Sequence, residues 1–224
     1  MNEAHRIEHL VIVTCGRTGS TLLQHVLNGV PEVMVRGEND DFCFWLYRAY
    51  RSLVNSKKVA GVGADSRHPY FGAEQINLGR VRGRLRGLIG DVLRSGDPSP
   101  RILGFKEVKF LARLQEMPPF VNFLDQLLAP CGFIFLYRNV EEVAQSFRKL
   151  KWFSNRSDDD IRRMLEQFFA ACRTIAESKR DRSFEIDYAD LKSGSERLAE
   201  LFAFFGLAYE AESVNRRLGE RCSY

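Results

Sequence analysis

The stretch His9-Leu-Val-Ile-Val-Thr-Cys-Gly16-Arg17-Thr18-Gly19-Ser20-Thr21-Leu22-Leu-Gln-His-Val-Leu27 decides the fold. Its first half is short, apolar and β-branched with no polar alternation, the pattern of a strand buried on both faces of a parallel sheet. Its second half, from Leu22 to Leu27, has helical spacing and stops at Asn28-Gly29. Gly16 and Gly19 let the intervening backbone turn tightly and approach a ligand. The amides of Thr18 to Leu22 are expected to be unpaired donors at a helix N-terminus, where anionic oxygens bind. Thr18, Ser20 and Thr21 add hydroxyls, and Arg17 adds a planar cation of matching geometry. Open α/β sheets bind ligands beyond the carboxyl ends of their strands, so this loop is the first candidate site.

Working outward, residues 32–36 read as a second strand that runs into Gly37-Glu38-Asn39-Asp40. Asp40 or Asp41 has the chemistry of an N-cap for a helix passing through Trp45 and Tyr47. Residues 55–79 lack any sustained period and read as a long surface loop. A basic amphipathic helix covers 80–93, and Asp97-Pro-Ser-Pro100 breaks the chain before a strand at 102–105. A helix near 119–128 precedes a strongly apolar strand at 133–137. Helices at 140–150 and 158–178, a strand at 184–187 and helices at 195–205 and 210–219 complete the series. Strands alternating with helices predict an α/β fold, P-loop-like and three-layered, with a central parallel sheet flanked by helices. No repeat or linker interrupts it, so residues 1–224 are expected to form a single domain.

The composition sets limits. With 45% hydrophobic and 28% charged residues, the chain of 224 can bury a core without metal or disulfide support. A net charge of +4 suits an anionic ligand and falls short of a nucleic-acid-binding surface. The five cysteines are scattered, with no zinc-ligand spacing, and read as buried residues of a reducing compartment. No stretch has the roughly 20 apolar residues of a membrane span, and the first ten residues are too polar for a signal peptide. A cytoplasmic protein is expected.

The glycine loop is not a Walker A motif, which needs a lysine for the phosphates and a Ser/Thr for magnesium. That weighs against a nucleotide kinase. Alone, the loop also has a lesser reading as an ordinary glycine turn between strand and helix.

Further segments carry a resemblance. Gly16-Arg17-Thr18-Gly19-Ser20-Thr21-Leu22-Leu23 resembles the 5'-phosphosulfate loop of sulfotransferases that use 3'-phosphoadenosine 5'-phosphosulfate (PAPS), with Gly16 for a proline and Thr18 for a serine. Phe133-Ile-Phe-Leu-Tyr-Arg138-Asn139-Val140, with Ser146 eight residues after Arg138, is similar to the family's 3'-phosphate site. Gly37-Glu38 is most similar to tyrosylprotein and glycolipid or carbohydrate sulfotransferases, in which the Glu is the base. Gly104-Phe105-Lys106-Glu107 matches a strand end carrying a lysine, and Val108 stands where the cytosolic small-molecule branch has its catalytic His. Phe184-Glu-Ile-Asp-Tyr188-Ala-Asp-Leu191 is similar to a segment whose tyrosine lies near adenine. The resemblance spans roughly residues 10–207.

It implies an in-line sulfuryl transfer from PAPS to an acceptor hydroxyl, leaving 3'-phosphoadenosine 5'-phosphate (PAP), with no metal. Glu38 is the implied base, with Arg17 and Lys106 stabilising the leaving group. Arg17, Thr18, Gly19, Ser20, Thr21 and Leu22 would hold the 5' end, Arg138 and Ser146 the 3'-phosphate, and Tyr188 the adenine. A second carboxylate, Glu107, has a simpler reading as an ion-pair partner of Lys106, although a salt bridge from Lys106 to either Glu107 or Glu38 would explain that lysine without catalysis. The acceptor is left open among a saccharide, a glycolipid headgroup, a peptide tyrosine and a metabolite, its site shaped by residues 55–79, 80–95 and 151–156. Trp45, Tyr47 and Trp152 are aromatic candidates for that site or for the core. The alternatives are a non-catalytic PAP-binding domain and a small-molecule kinase with an aberrant loop.

Overall fold

In the computed structural model, residues 7–62, 65–94, 96 and 99–220 are described. Asp97 and Pro98 of the expected chain break, His5 and Cys222 lie outside them. Five strands form one sheet: β1 (His9–Val13), β2 (Val33–Arg36), β3 (Ile102–Glu107), β4 (Cys131–Tyr137) and β5 (Ser183–Asp187). Their order is β2-β3-β1-β4-β5 and every neighbouring pair is parallel. The central strands β1, β3 and β4 are buried along their whole length, as their apolar runs require, the buried charges Lys106 and Glu107 closing β3. The edge strands β2 and β5 alternate between buried and partly exposed positions.

Parallel neighbours need crossovers, and helices supply them. They are α1 (Ser20–Leu27), α2 (Phe42–Ala60), α3 (Leu78–Arg94), α4 (Met117–Leu127) and α5 (Val140–Lys149). The rest are α6 (Asp158–Ser178), α7 (Tyr188–Ser193), α8 (Glu196–Phe204) and α9 (Ala211–Gly219). Alternation along β1 feeds two separate cores. Val11 and Val13 pack with Phe105, Phe133 and Phe135 beneath α2, α4 and α6. Leu10 and Ile12 pack with Leu23 and Val26 of α1 and with Leu198 and Phe202 of α8. The result is the predicted α/β architecture, helices over both faces of a parallel sheet.

Three local readings are corrected. Residues 55–60 belong to α2, which has no glycine or proline before Gly61 to stop it. Its last turn is also tied down, because the Lys57 ammonium donates to the Glu74 and Ile76 carbonyls. β3 extends past Phe105 to include Lys106 and Glu107, Glu107 standing in register with Val13. The helix expected at 80–93 does form within α3, but it lies over the amino ends of the strands. There Arg86 donates to the Ala129 carbonyl and pairs with Glu8, far from the glycine loop in the fold.

Candidate active site

All five strands point their carboxyl ends the same way, so the segments following them share one side of the molecule. After β1 comes the glycine loop, in which Arg17 (φ 68°) and Gly19 (φ 92°) both occupy the left-handed region. For Arg17 that conformation costs about 1–2 kcal/mol and persists because its surroundings enforce it. The Arg17 Nε donates to Ser146 Oγ at 2.8 Å, and its carbonyl accepts from Arg138 Nη1 at 3.0 Å. Two buried threonines fix the loop from beneath. Thr18 Oγ1 donates to the Cys15 carbonyl at 2.9 Å and lies 2.7 Å from Thr14 Oγ1, which reaches the Leu136 carbonyl of β4 at 2.9 Å.

Both glycines are required, for different reasons. A Cβ on Gly19 would lie 2.3 Å from the Tyr188 ring, on top of the positive φ. Gly16 has no unusual φ, but a Cβ there would lie 2.7 Å from the Trp152 ring. Tyr188, at the start of α7, and Trp152, between α5 and α6, therefore press on the loop from two sides.

Gly19 is the N-cap of α1 and no side chain caps that end. The amides of Ser20 and Thr21, in the first turn, have no helical carbonyl to bond. The expectation for Leu22 is corrected: its amide, like that of Leu23, bonds the Gly19 carbonyl, at 3.0 and 3.1 Å. Thr18 likewise turns its hydroxyl inward to hold the loop and does not present it to a ligand.

Arg138 closes β4. Besides the Arg17 carbonyl, it reaches the Glu142 carboxylate at 2.8 Å, and its guanidinium lies 4.3 Å from the centre of the Tyr188 ring. Asn139 then caps α5, accepting from the amides of Glu141 and Glu142 at 3.0 and 3.2 Å. That cap orients the helix so that Ser146, two turns on, meets Arg17. Arg17, Arg138, Ser146 and Tyr188 thus gather around Gly19 from four separate segments.

The second part of the site lies beyond β2 and β3. Lys106 Nζ donates to Glu38 Oε1 at 2.8 Å, with the lysine side chain 7% exposed and the glutamate 42%. Gly37 sits beside the Gln24 side chain of α1, which places the turn carrying Glu38 against the helix that the glycine loop opens. The expected Lys106–Glu107 pairing does not occur, since adjacent strand residues point to opposite faces. Glu107 is instead 3% exposed and accepts from the amides of Val108, Lys109 and Asp41 at 2.9, 3.1 and 3.4 Å. Burial raises its carboxyl pKa above the usual carboxylate range.

Asp41 is the N-cap position of α2 without acting as a cap. Held at φ 64°, it gives its carboxylate to Arg113 at 2.7 Å, while Asp40 pairs with Lys109. Arg113 stacks 4.2 Å from the Phe44 ring centre and 5.3 Å from that of Trp45. Of the three aromatic candidates, Tyr47 is core, and Trp45 and Trp152 remain about half exposed.

The sequence reading missed Arg113, Gln24 and the steric role of Trp152. No motif marks them, and only the i+4 offset of Gln24 from Ser20 hinted at a shared helix face. Chemically, the site offers two guanidinium groups and uncapped helix amides for a polyanion, with a carboxylate–ammonium pair alongside. Burial pushes the Cys15 thiol far up, so it offers no thiolate. Among the described residues no group of three or more His, Cys, Asp or Glu is placed to hold a metal ion. Nor is any of their helices long and apolar enough to cross a membrane.

Comparison with known proteins agrees. The sulfotransferase domain of the curacin biosynthetic pathway superposes with TM-score 0.62 at 15% identity, covering 96% of this chain and 78% of that one. The sulfotransferase domain of the Synechococcus PCC 7002 olefin synthase gives 0.57 at 14%, covering 95% and 77%. Sulfotransferase STF9 from Mycobacterium avium gives 0.51 at 12%, covering 95% and 67%. At such identities the likeness speaks for the fold. No curated protein sequence matches significantly. The profile of the sulfotransferase family, however, matches residues 9–211, nearly the whole of the described chain, and the protein belongs to that family.

Proposed function

We propose that this sulfotransferase takes its sulfuryl group from PAPS and passes it to an acceptor hydroxyl by in-line displacement. The observation that carries this reading is the gathering of Arg17, Arg138, Ser146 and Tyr188 around the uncapped start of α1. The residues suit such a donor, with uncapped amides and Arg17 for its 5' end, Arg138 with Ser146 for a 3'-phosphate, and the Tyr188 ring beside Arg138 for a base. Gly19 lets the backbone come close, and the Ser20 and Thr21 amides make that contact, whereas the Leu22 amide is taken by the Gly19 carbonyl.

In the reaction a bond forms between the acceptor oxygen and sulfur while the bond from sulfur to the phosphate oxygen breaks. Glu38 takes the acceptor proton. Arg17 and Lys106 stabilise charge developing on the sulfonate and the leaving phosphate. Glu38 is favoured over Glu107 because it is partly exposed and held only by Lys106, whereas the Glu107 oxygens are occupied by backbone amides. Lys106 must exchange its Glu38 contact for the sulfonate, which frees the base as the donor settles.

Thermal unfolding tests the donor. PAP at a hundred times its Kd should stabilise the protein by about 2.7 kcal/mol without added metal, and ATP with magnesium by less. Tighter binding of magnesium-ATP would replace this reading with that of a kinase. PAP binding without transfer to any hydroxyl would leave a non-catalytic nucleotide-binding domain.

A further inference from the structure

A cavity of about 600 Å³ lies between the 3-10 segment Phe110–Glu116 and the first turns of α6, with Leu111, Leu114, Phe153 and Met164 among its apolar walls. Three short links tie it to the site described above. Phe153 follows Trp152, which lies against Gly16. The 3-10 segment follows Lys109, which is bridged to Cys15 at the head of the glycine loop. Arg113, in the cavity wall, holds Asp41, three residues after Glu38. A second cavity, walled by Arg138, also borders the glycine loop, but its lining holds none of the residues that follow β2 or β3.

The charges in its wall are unevenly matched. Glu116 is taken by Arg48 at 2.7 Å and Arg51 at 3.7 Å. Asp160 is taken by Ser157 at 2.6 Å and by Arg163 at 3.6 Å. On the cationic side, Arg113 gives one nitrogen to Asp41 while its Nε is buried without a hydrogen-bond partner. Arg156 lies close enough to Asp160 to help Ser157 hold its carboxyl below the usual range, yet it makes no ion pair within 4 Å among the described residues. Both carboxylates have partners within 4 Å, and the Arg156 guanidinium is left with none that close, beside an apolar wall.

Resting on the PAPS reading above, we propose that this cavity seats the acceptor and that the acceptor is an amphiphile. It carries its hydroxyl on an apolar body with an anionic group, which Arg156 receives. The apolar body lies along Leu111, Leu114, Phe153 and Met164, and the hydroxyl is directed past Trp152 toward Glu38.

The test is calorimetry on PAP-saturated protein with two probes of equal length, 12-hydroxydodecanoate and 1,12-dodecanediol. The carboxylate should bind about tenfold or more tightly than the diol, the scale of one charge-assisted contact. Arg156→Gln should shrink that preference to within about threefold and leave PAP affinity unchanged. Met164→Trp should weaken both probes by filling the cavity. Equal binding of the two probes, or a preference that survives Arg156→Gln, overturns the proposal. The PAP titration run on the same sample keeps the two readings apart. If PAP fails to bind, the donor assignment fails, and the probes titrated into the free protein still decide the cavity.

Discussion

Two carboxylates stand at neighbouring strand ends, and their surroundings divide the work between them. Glu38 is 42% exposed and held by one flexible lysine, so it can be released to take a proton. Glu38→Gln keeps the shape and removes the acceptor, and should lower kcat about 100-fold or more with PAP affinity unchanged. Glu107 is buried, and its oxygens organise the backbone of Val108, Lys109 and Asp41. Glu107→Gln should therefore act mainly on stability, costing about 1–3 kcal/mol with a much smaller effect on turnover. The pH dependence has a definite sign. Burial raises the folded-state pKa of Glu107, so its protonated form favours the folded protein, and that contribution fades as pH rises through the folded value. The melting-temperature gap between wild type and Glu107→Gln should accordingly be widest at about pH 4 and narrow toward neutrality. A gap that grows with pH would reverse the assignment. Arg138 offers a third residue-level test. Arg138→Ala should weaken PAP by about 1.5–3 kcal/mol and leave adenosine 5'-phosphosulfate, which has no 3'-phosphate, nearly unaffected.

At the scale of elements, the strand–loop–helix unit was readable because each of its parts has a local cause. β-branched residues make the strand, Gly19 the left-handed turn, and Asn28 and Gly29 the helix stop. What the residues could not declare was where the loop's donors point. The inward turn of Thr18 depends on Thr14 and Leu136, and the Leu22 amide depends on how tightly Gly19 turns. The same holds for α2. Its last turn is polar and looks like a loop until Glu74 and Ile76 return to meet Lys57. The pairing of Lys106 with Glu38 instead of Glu107 was in principle legible, from strand alternation alone. Tyr188 and Gly19 give a prediction at this scale. Gly19→Ala places a methyl 2.3 Å from the Tyr188 ring and at an unfavourable φ, so it should cost both stability and PAP affinity. Adding Tyr188→Ala should recover the part due to the clash and leave the part due to backbone strain. If the two mutations add without coupling, the ring does not press on the loop in solution.

For the whole molecule, the order β2-β3-β1-β4-β5 puts the first of the five strands along the chain at the centre of the sheet. The alternation of elements foretold the parallel sheet but not this order, because pairing is decided by which faces the helices cover. The order brings the ends of β1, β3 and β4 together, and the glycine loop therefore borrows its supports from Leu136, Arg138 and Ser146, all far along the chain. That arrangement has a consequence during synthesis. His9 finds its neighbours only in Leu103 and Cys131, so the most apolar strand of the amino-terminal half emerges from the ribosome long before either partner. Contacts of such long sequence separation close slowly, and an unpaired apolar strand is prone to self-association while it waits. A nascent fragment ending at Leu128, lacking β4, should aggregate when released, whereas one reaching beyond Asp187 holds the complete sheet. Measured by pelleting of ribosome-released chains, solubility should rise in a step as β4 is added. The yield of the intact protein is then expected to depend on whatever shields residues 9–13 during that interval.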